Sequence, residues 1–104
     1  MVYQYDNENI FAKILRREIP NETVFETRYS LSFKDINPVA PKHVLVIPKG
    51  PYVNFDHLIS EASSEEILDF NNMINDVINK IGAAPSANGH GYRIIMNAGE
   101  HGFQ

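Results

Sequence analysis

The sequence predicts helices packed on an antiparallel sheet, in one layered unit of five or six elements. Three observations carry this. Ile67, Phe70, Ile74, Val77, Ile78 and Ile81 recur at spacings of three and four, the apolar stripe of a helix that lies on a sheet, widened by Leu68 and Met73. Thr23 to Thr27 and Ser30 to Asp35 are short runs of β-branched, aromatic or alternating residues separated by Arg28-Tyr29, which reads as an antiparallel pair. No internal repeat, low-complexity tract or linker-like shift divides the 104 residues, a length that fits one domain.

The first element is a short helix. Asn9 can cap it, Asp6 and Glu8 sit at its positive end, and Arg16 and Arg17 sit at its negative end. Ile10, Phe11, Ile14 and Leu15 form its apolar face, and Pro20 stops anything longer. In Ser30 to Asp35, alternation sets Leu31, Phe33 and Asp35 on one face, so a carboxylate ends an apolar row. After a corner stiffened by Pro38 and Pro41, Lys42 to Ile47 reads as a buried strand with His43, Leu45 and Ile47 on one face.

Gly50 to Ser63 reads as a surface loop with a short turn, and His57 as solvated. The long helix, Ser64 to Ile81, has every boundary signal: Ser63 and Glu66 as a capping box, Glu65 at the start, Lys80 in the last turn and Gly82 as the stop. A polar loop follows. Tyr92 to Asn97 then reads as a strand, with Tyr92, Ile94 and Met96 opposite Arg93, Ile95 and Asn97, before a glycine-punctuated turn.

Composition excludes whole classes. There is no cysteine, hence no disulfide framework and no thiolate zinc site, and the default compartment is the cytoplasm. The N-terminus lacks a basic segment followed by an apolar one, and no stretch approaches the ~20 apolar residues of a membrane span. A soluble protein without a membrane partner is expected. A net charge of -4 argues against tracking along a nucleic acid polymer, although one small anion remains bindable through local donors.

The sequence contains no P-loop, GxGxxG, GxSxG or HExxH, and no paired histidines or carboxylates at metal-ligand spacing, so neither cofactor nor metal is expected. The candidates are single residues with two readings each. Asp35 is a turn-forming residue ahead of Asn37-Pro38, or an acceptor for a hydroxyl or cation. His43 is a structural histidine or a catalytic one. Asn97 belongs to a turn beside Gly99, or donates to a ligand. Ile10, Phe11, Ile14 and Phe33 are core or a pocket wall.

Taken together, Asn9 to Pro20, Phe33 to Pro48 and Gly91 to Gly99 closely resemble the histidine-triad (HIT) nucleotide-binding family, in order and over nearly the whole chain. The branch most resembled is that of small homodimeric purine-nucleotide phosphoramidases and hydrolases. The resemblance implies an α+β fold with an antiparallel sheet of about five strands, two helices, and a dimer made through the long helix and a sheet edge. It implies that Ile10, Phe11, Phe33 and Ile36 line the base pocket and that Asp35 accepts hydrogen bonds from the ribose hydroxyls. It implies further that His43 orients the catalytic histidines from behind, while Asn97 and Gln104 bond near the phosphate and the leaving group.

The family's nucleophile is the middle histidine of a His-x-His-x-His motif, which forms a nucleotidyl-histidine at the α-phosphate. No such motif occurs in these residues, and His101 has no histidine two residues away. The resemblance therefore implies a C-terminally incomplete HIT-like domain, residues 1–104, inactive as it stands, with the triad in a strand beyond Gln104. The alternative expectation is a non-catalytic nucleotide-binding or dimer-scaffold protein. Two smaller departures are Phe103, where relatives often have glycine, and Gly50-Pro51, where they often have basic residues or histidine.

Overall fold

A computed structural model describes residues 3–102. Expectations for Phe103 and Gln104 concern positions outside the described residues.

Helix α1 (Ile10–Leu15) begins where Asn9 Oδ1 accepts the amide N–H of Ala12 at 2.9 Å, satisfying one orphan donor of the first turn. Arg16 is its C-cap, and the next residue, Arg17, has a φ of +64° that no helix continues. Three strands follow: β1 (Thr23–Glu26), β2 (Ser30–Lys34) and β3 (Val44–Pro48), in an antiparallel sheet of order β1-β2-β3. Leu31 pairs with Ile47 and Phe33 with Leu45, and one rung further the Asp35 amide donates to the His43 carbonyl at 3.0 Å. Directly opposed residues share a face. Leu31, Phe33 and Asp35 thus lie beside Ile47, Leu45 and His43, and Ile14 and Leu15 of α1 with Ile19 pack on the apolar part of that surface.

The other face of β2 is not the solvated one that Ser30 and Ser32 would suggest. Both serines are 0% exposed, because the long helix α3 (Ser64–Lys80) packs against β2 and β3. Ser32 Oγ is satisfied by Phe25, donating to its carbonyl at 3.3 Å and accepting its N–H at 3.0 Å. Short side chains there let a helix backbone come close, and Phe70, Met73 and Val77 supply the apolar volume.

The capping box of α3 is complete: Ser63 Oγ accepts the Glu66 amide and Glu66 Oε1 accepts the Ser63 amide, each at 3.2 Å. Ile81 is its C-cap, and Gly82 adopts φ +73°, the left-handed turn that ends the helix without a Cβ penalty.

Three expectations need correction. Gly50 to Ser63 is not simply a loop, since it contains helix α2 (Phe55–Glu61), which makes three α-helices among the described residues rather than two. His57 is not solvated but 7% exposed, tucked beneath Tyr3 and Tyr52. Tyr92 to Asn97 forms no strand among the described residues. A strand exists only through a ladder, and this segment has no strand neighbour, so Tyr92, Ile94, Ile95 and Met96 stay exposed. The antiparallel α+β class holds, with three strands among the described residues where about five, the last of them beyond Gln104, were expected.

Candidate functional site

Most of the predicted site residues among those described gather in two groups. The first is apolar. Phe11 of α1 leans on Phe33 of β2, their ring centroids 6.4 Å apart. Phe33 is buried and Phe11 half exposed, so the pair offers an aromatic surface backed by core. Ile10 and Phe11 border a cleft of about 490 Å³ that runs beside the free edge of β3, with Phe55 and Leu58 of α2 and Ile95 to Asn97 on its other sides. Asn97 is brought to this cleft, although it is exposed and lies outside any strand.

The second group is polar. Asp35 and His43 end the two facing rows of β2 and β3, and their side chains meet with His43 Nε2 3.4 Å from Asp35 Oδ2. Asp35 Oδ1 accepts the Asn37 amide at 2.9 Å, which is the turn reading of the residue, and its Oδ2 faces the imidazole at the same time. His43 Nδ1 accepts the Val39 amide at 3.1 Å, so a neutral ring carries its proton on Nε2, toward the carboxylate. Both residues border a second cleft, of about 730 Å³, with Lys34, Lys42 and Lys80 around it. Lys34 is already paired with Glu22 at 3.1 Å, and Lys42 Nζ donates to the Ile81 carbonyl at 2.5 Å.

Ile36 is 83% exposed and borders neither cleft. The structure therefore sets Phe11 on the buried Phe33, brings Asp35 and His43 together, and leaves Ile10 and Phe11 bordering one depression and Asp35 and His43 another. Gln104 lies outside the described residues. Among the described residues no group of three or more His, Asp or Glu side chains could hold a metal ion.

The α2 corner also borders the apolar cleft, and sequence reasoning missed it. Tyr52 donates its hydroxyl to Glu66 Oε2 at 2.8 Å. Burial and the facing Glu66 carboxylate push the Tyr52 phenol up to about 12. The Tyr52 hydroxyl, and then the Ser63 amide, hold Glu66 below the ordinary carboxylate range. The signal available beforehand was Asn54 followed by Phe55, Leu58 and Ile59 at helical spacing, with His57 three residues after the cap.

This arrangement of sheet and helices has known counterparts. A HIT domain profile matches residues 16–104. The chain belongs to the HIT family. A HIT-like protein of Azospirillum brasilense is 46% identical over 104 residues, covering 100% of this chain and 82% of the relative. The purine nucleoside phosphoramidase of Escherichia coli is 40% identical over 99 residues, covering 93% of this chain and 77% of its own length. Among solved structures, a HIT family hydrolase from Clostridium thermocellum superposes with a TM-score of 0.78 at 35% identity, covering 93% of this chain and 80% of the hydrolase. These HIT relatives make a nucleotide hydrolase family the setting for the residues above. No helix among the described residues is long and apolar enough to cross a membrane.

Proposed function

We propose that these residues form the binding part of a purine nucleotide hydrolase of the phosphoramidase type. One observation carries the reading: an aromatic surface, Phe11 on Phe33, lies on the same sheet face as a carboxylate, Asp35, held beside an imidazole, His43. A purine needs a flat apolar wall, and a ribose needs a charged acceptor that discriminates hydroxyls. The 40% identity to an enzyme named purine nucleoside phosphoramidase supports the same substrate class.

In this reading Ile10, Phe11, Phe33 and Ile36 close on the base and Asp35 accepts from the ribose. His43 supports the reacting imidazole, and Asn97 and Gln104 bond near the phosphate and leaving group. A histidine nitrogen attacks the α-phosphorus, the leaving group departs, and water releases the nucleoside monophosphate from the nucleotidyl-histidine. None of His43, His57, His90 and His101 stands in a His-x-His pair, so turnover requires a His-x-His-x-His segment in addition to these residues. No cofactor takes part.

Two chains associate through α3 and the 92–97 segment, a reading supported by the exposure of Leu68, Ile94 and Ile95. The protein works in the cytoplasm on small nucleotides, without a membrane or a nucleic acid polymer as partner.

Calorimetry with AMP and with its 2′,3′-dideoxy analogue tests the reading. AMP should bind and the dideoxy compound should lose most of that affinity. No AMP binding by a folded chain sinks the proposal. AMP binding without phosphoramidate turnover in a triad-bearing chain would favour a nucleotide-binding scaffold.

A further inference from the structure

Helix α2 opens with an unusual cap. Asn54 is its N-cap and accepts the His57 amide at 3.0 Å. Three residues on, where a capping box places Glu or Gln, His57 sends its side chain back toward the preceding backbone. Its Nδ1 accepts the amide N–H of Val53 at 2.9 Å. The other ring nitrogen, Nε2, faces Glu61 one turn later. The ring is nearly buried, with Tyr3 at 5.0 Å between centroids and Tyr52 edge-on at 5.6 Å.

An imidazole nitrogen accepts a hydrogen bond only while it carries no proton. The Val53 bond therefore fixes the proton of neutral His57 on Nε2, where it can be donated to Glu61. A carboxylate or amide in this position would cap α2 across the physiological range. An imidazole, whose ordinary titration lies within that range, does not.

We propose that His57 is a pH-operated cap on α2, closed when the ring is neutral and opened by protonation of Nδ1. Protonation turns Nδ1 into a second donor aimed at another donor, so the Val53 bond cannot survive it. Nε2 keeps Glu61, and that pair becomes ionic. Acid thus trades the cap at the start of α2 for a stronger tie at its end.

Charged and aromatic groups surround the ring. Glu61 and Asp56 are the carboxylates of α2 beside it, Asp56 being held by the Tyr3 hydroxyl at 2.5 Å. The Tyr3 ring from the N-terminal segment and the Tyr52 ring from the loop flank it, and Glu66 of α3 stands behind Tyr52. The consequence reaches the apolar cleft, because Val53, Phe55 and Leu58 form part of its wall. A loosened cap changes the shape of that wall without touching Asp35 or His43.

Nuclear magnetic resonance on this chain tests the proposal in two steps. Long-range nitrogen spectra of neutral His57 should report the Nε2–H tautomer; an Nδ1–H tautomer overturns the proposal. Exchange of the Val53 amide, corrected for its intrinsic rate, should then lose about tenfold protection between about pH 7.5 and about pH 5, the scale of one hydrogen bond. The midpoint should coincide with that of the His57 ring proton shift. In His57→Gln, whose side-chain oxygen accepts at every pH, the protection should stay constant. Unchanged Val53 protection in the native chain while His57 titrates overturns the proposal, as does an equal loss in the variant. If the variant does not fold, the tautomer and the match of the two midpoints in the native chain decide the question.

Discussion

His43 Nε2 stands 3.4 Å from Asp35 Oδ2 at the rung where β2 and β3 also exchange a backbone bond, Asp35 N–H to His43 carbonyl at 3.0 Å. Main chain and side chain thus clamp the same pair. The His43 ring repeats the geometry of His57: each Nδ1 accepts the amide four residues earlier, from Val39 and Val53, and each Nε2 faces a carboxylate. Both rings are fixed as one tautomer by backbone rather than by a ligand.

Asp35 has one oxygen on the Asn37 amide and the other facing His43, so its carboxylate is oriented before any ligand arrives. Asp35→Ala should weaken AMP binding by about 1–3 kcal/mol through a lost charge-assisted hydrogen bond. Calorimetry on the folded variant measures it, with circular dichroism to verify the fold. Affinity equal to that of the native chain would remove Asp35 from the binding role.

How much of this was legible beforehand differs by element. The α3 boundaries could be read because each terminal signal there is local: Ser63 and Glu66 close a box within one turn, and Gly82 needs only its own φ. Asp35 and His43 stood out as polar ends of apolar rows, and the sheet register makes those rows neighbours. Ser30 and Ser32 could not be read as buried, because what covers them is α3, about 40 residues away in the chain. Tyr92 to Asn97 carries strand alternation, but alternation specifies faces and not a hydrogen-bonding neighbour. α2 was hidden because its cap uses a histidine where the usual pattern has Glu or Gln.

Ser63→Ala removes the side chain that accepts the Glu66 amide and leaves that donor to solvent. The expected cost is about 1 kcal/mol of stability. Urea unfolding should report it as a lower midpoint with unchanged slope. A midpoint within error of the native one would mean that Glu66 and its Tyr52 partner hold the helix start alone.

Met73 is 1% exposed on the α3 face that meets the sheet. Met73→Ala should cost about 2–5 kcal/mol, the lost transfer energy plus the cavity left between helix and sheet. The same unfolding experiment gives the number. A cost below about 1 kcal/mol would mean that α3 settles onto Ser30 and Ser32 and closes the gap.

Tyr52 and Glu66 make stability depend on pH at both ends of the scale. The Tyr52 phenol is raised from 10.0 to about 12 by burial first and then by its bond to Glu66. A raised folded value stabilises fully below the ordinary phenol value, and that stabilisation is lost as pH climbs from about 10 through about 12. Glu66 is lowered from 4.5, first by the Tyr52 hydroxyl and then by the Ser63 amide. Its stabilisation is present above the ordinary carboxyl value and fades as pH falls below it. Tyr52→Phe deletes the shared hydrogen bond and should cost about 1 kcal/mol near neutrality, or about 4–8 °C in Tm. The difference between native and variant Tm should be widest between about pH 5 and about pH 10 and should narrow on either side. Thermal melts across that range measure it, and a difference that stays flat from about pH 3 to about pH 11 would show that the Tyr52 hydroxyl and the Glu66 carboxylate are not coupled in the folded state.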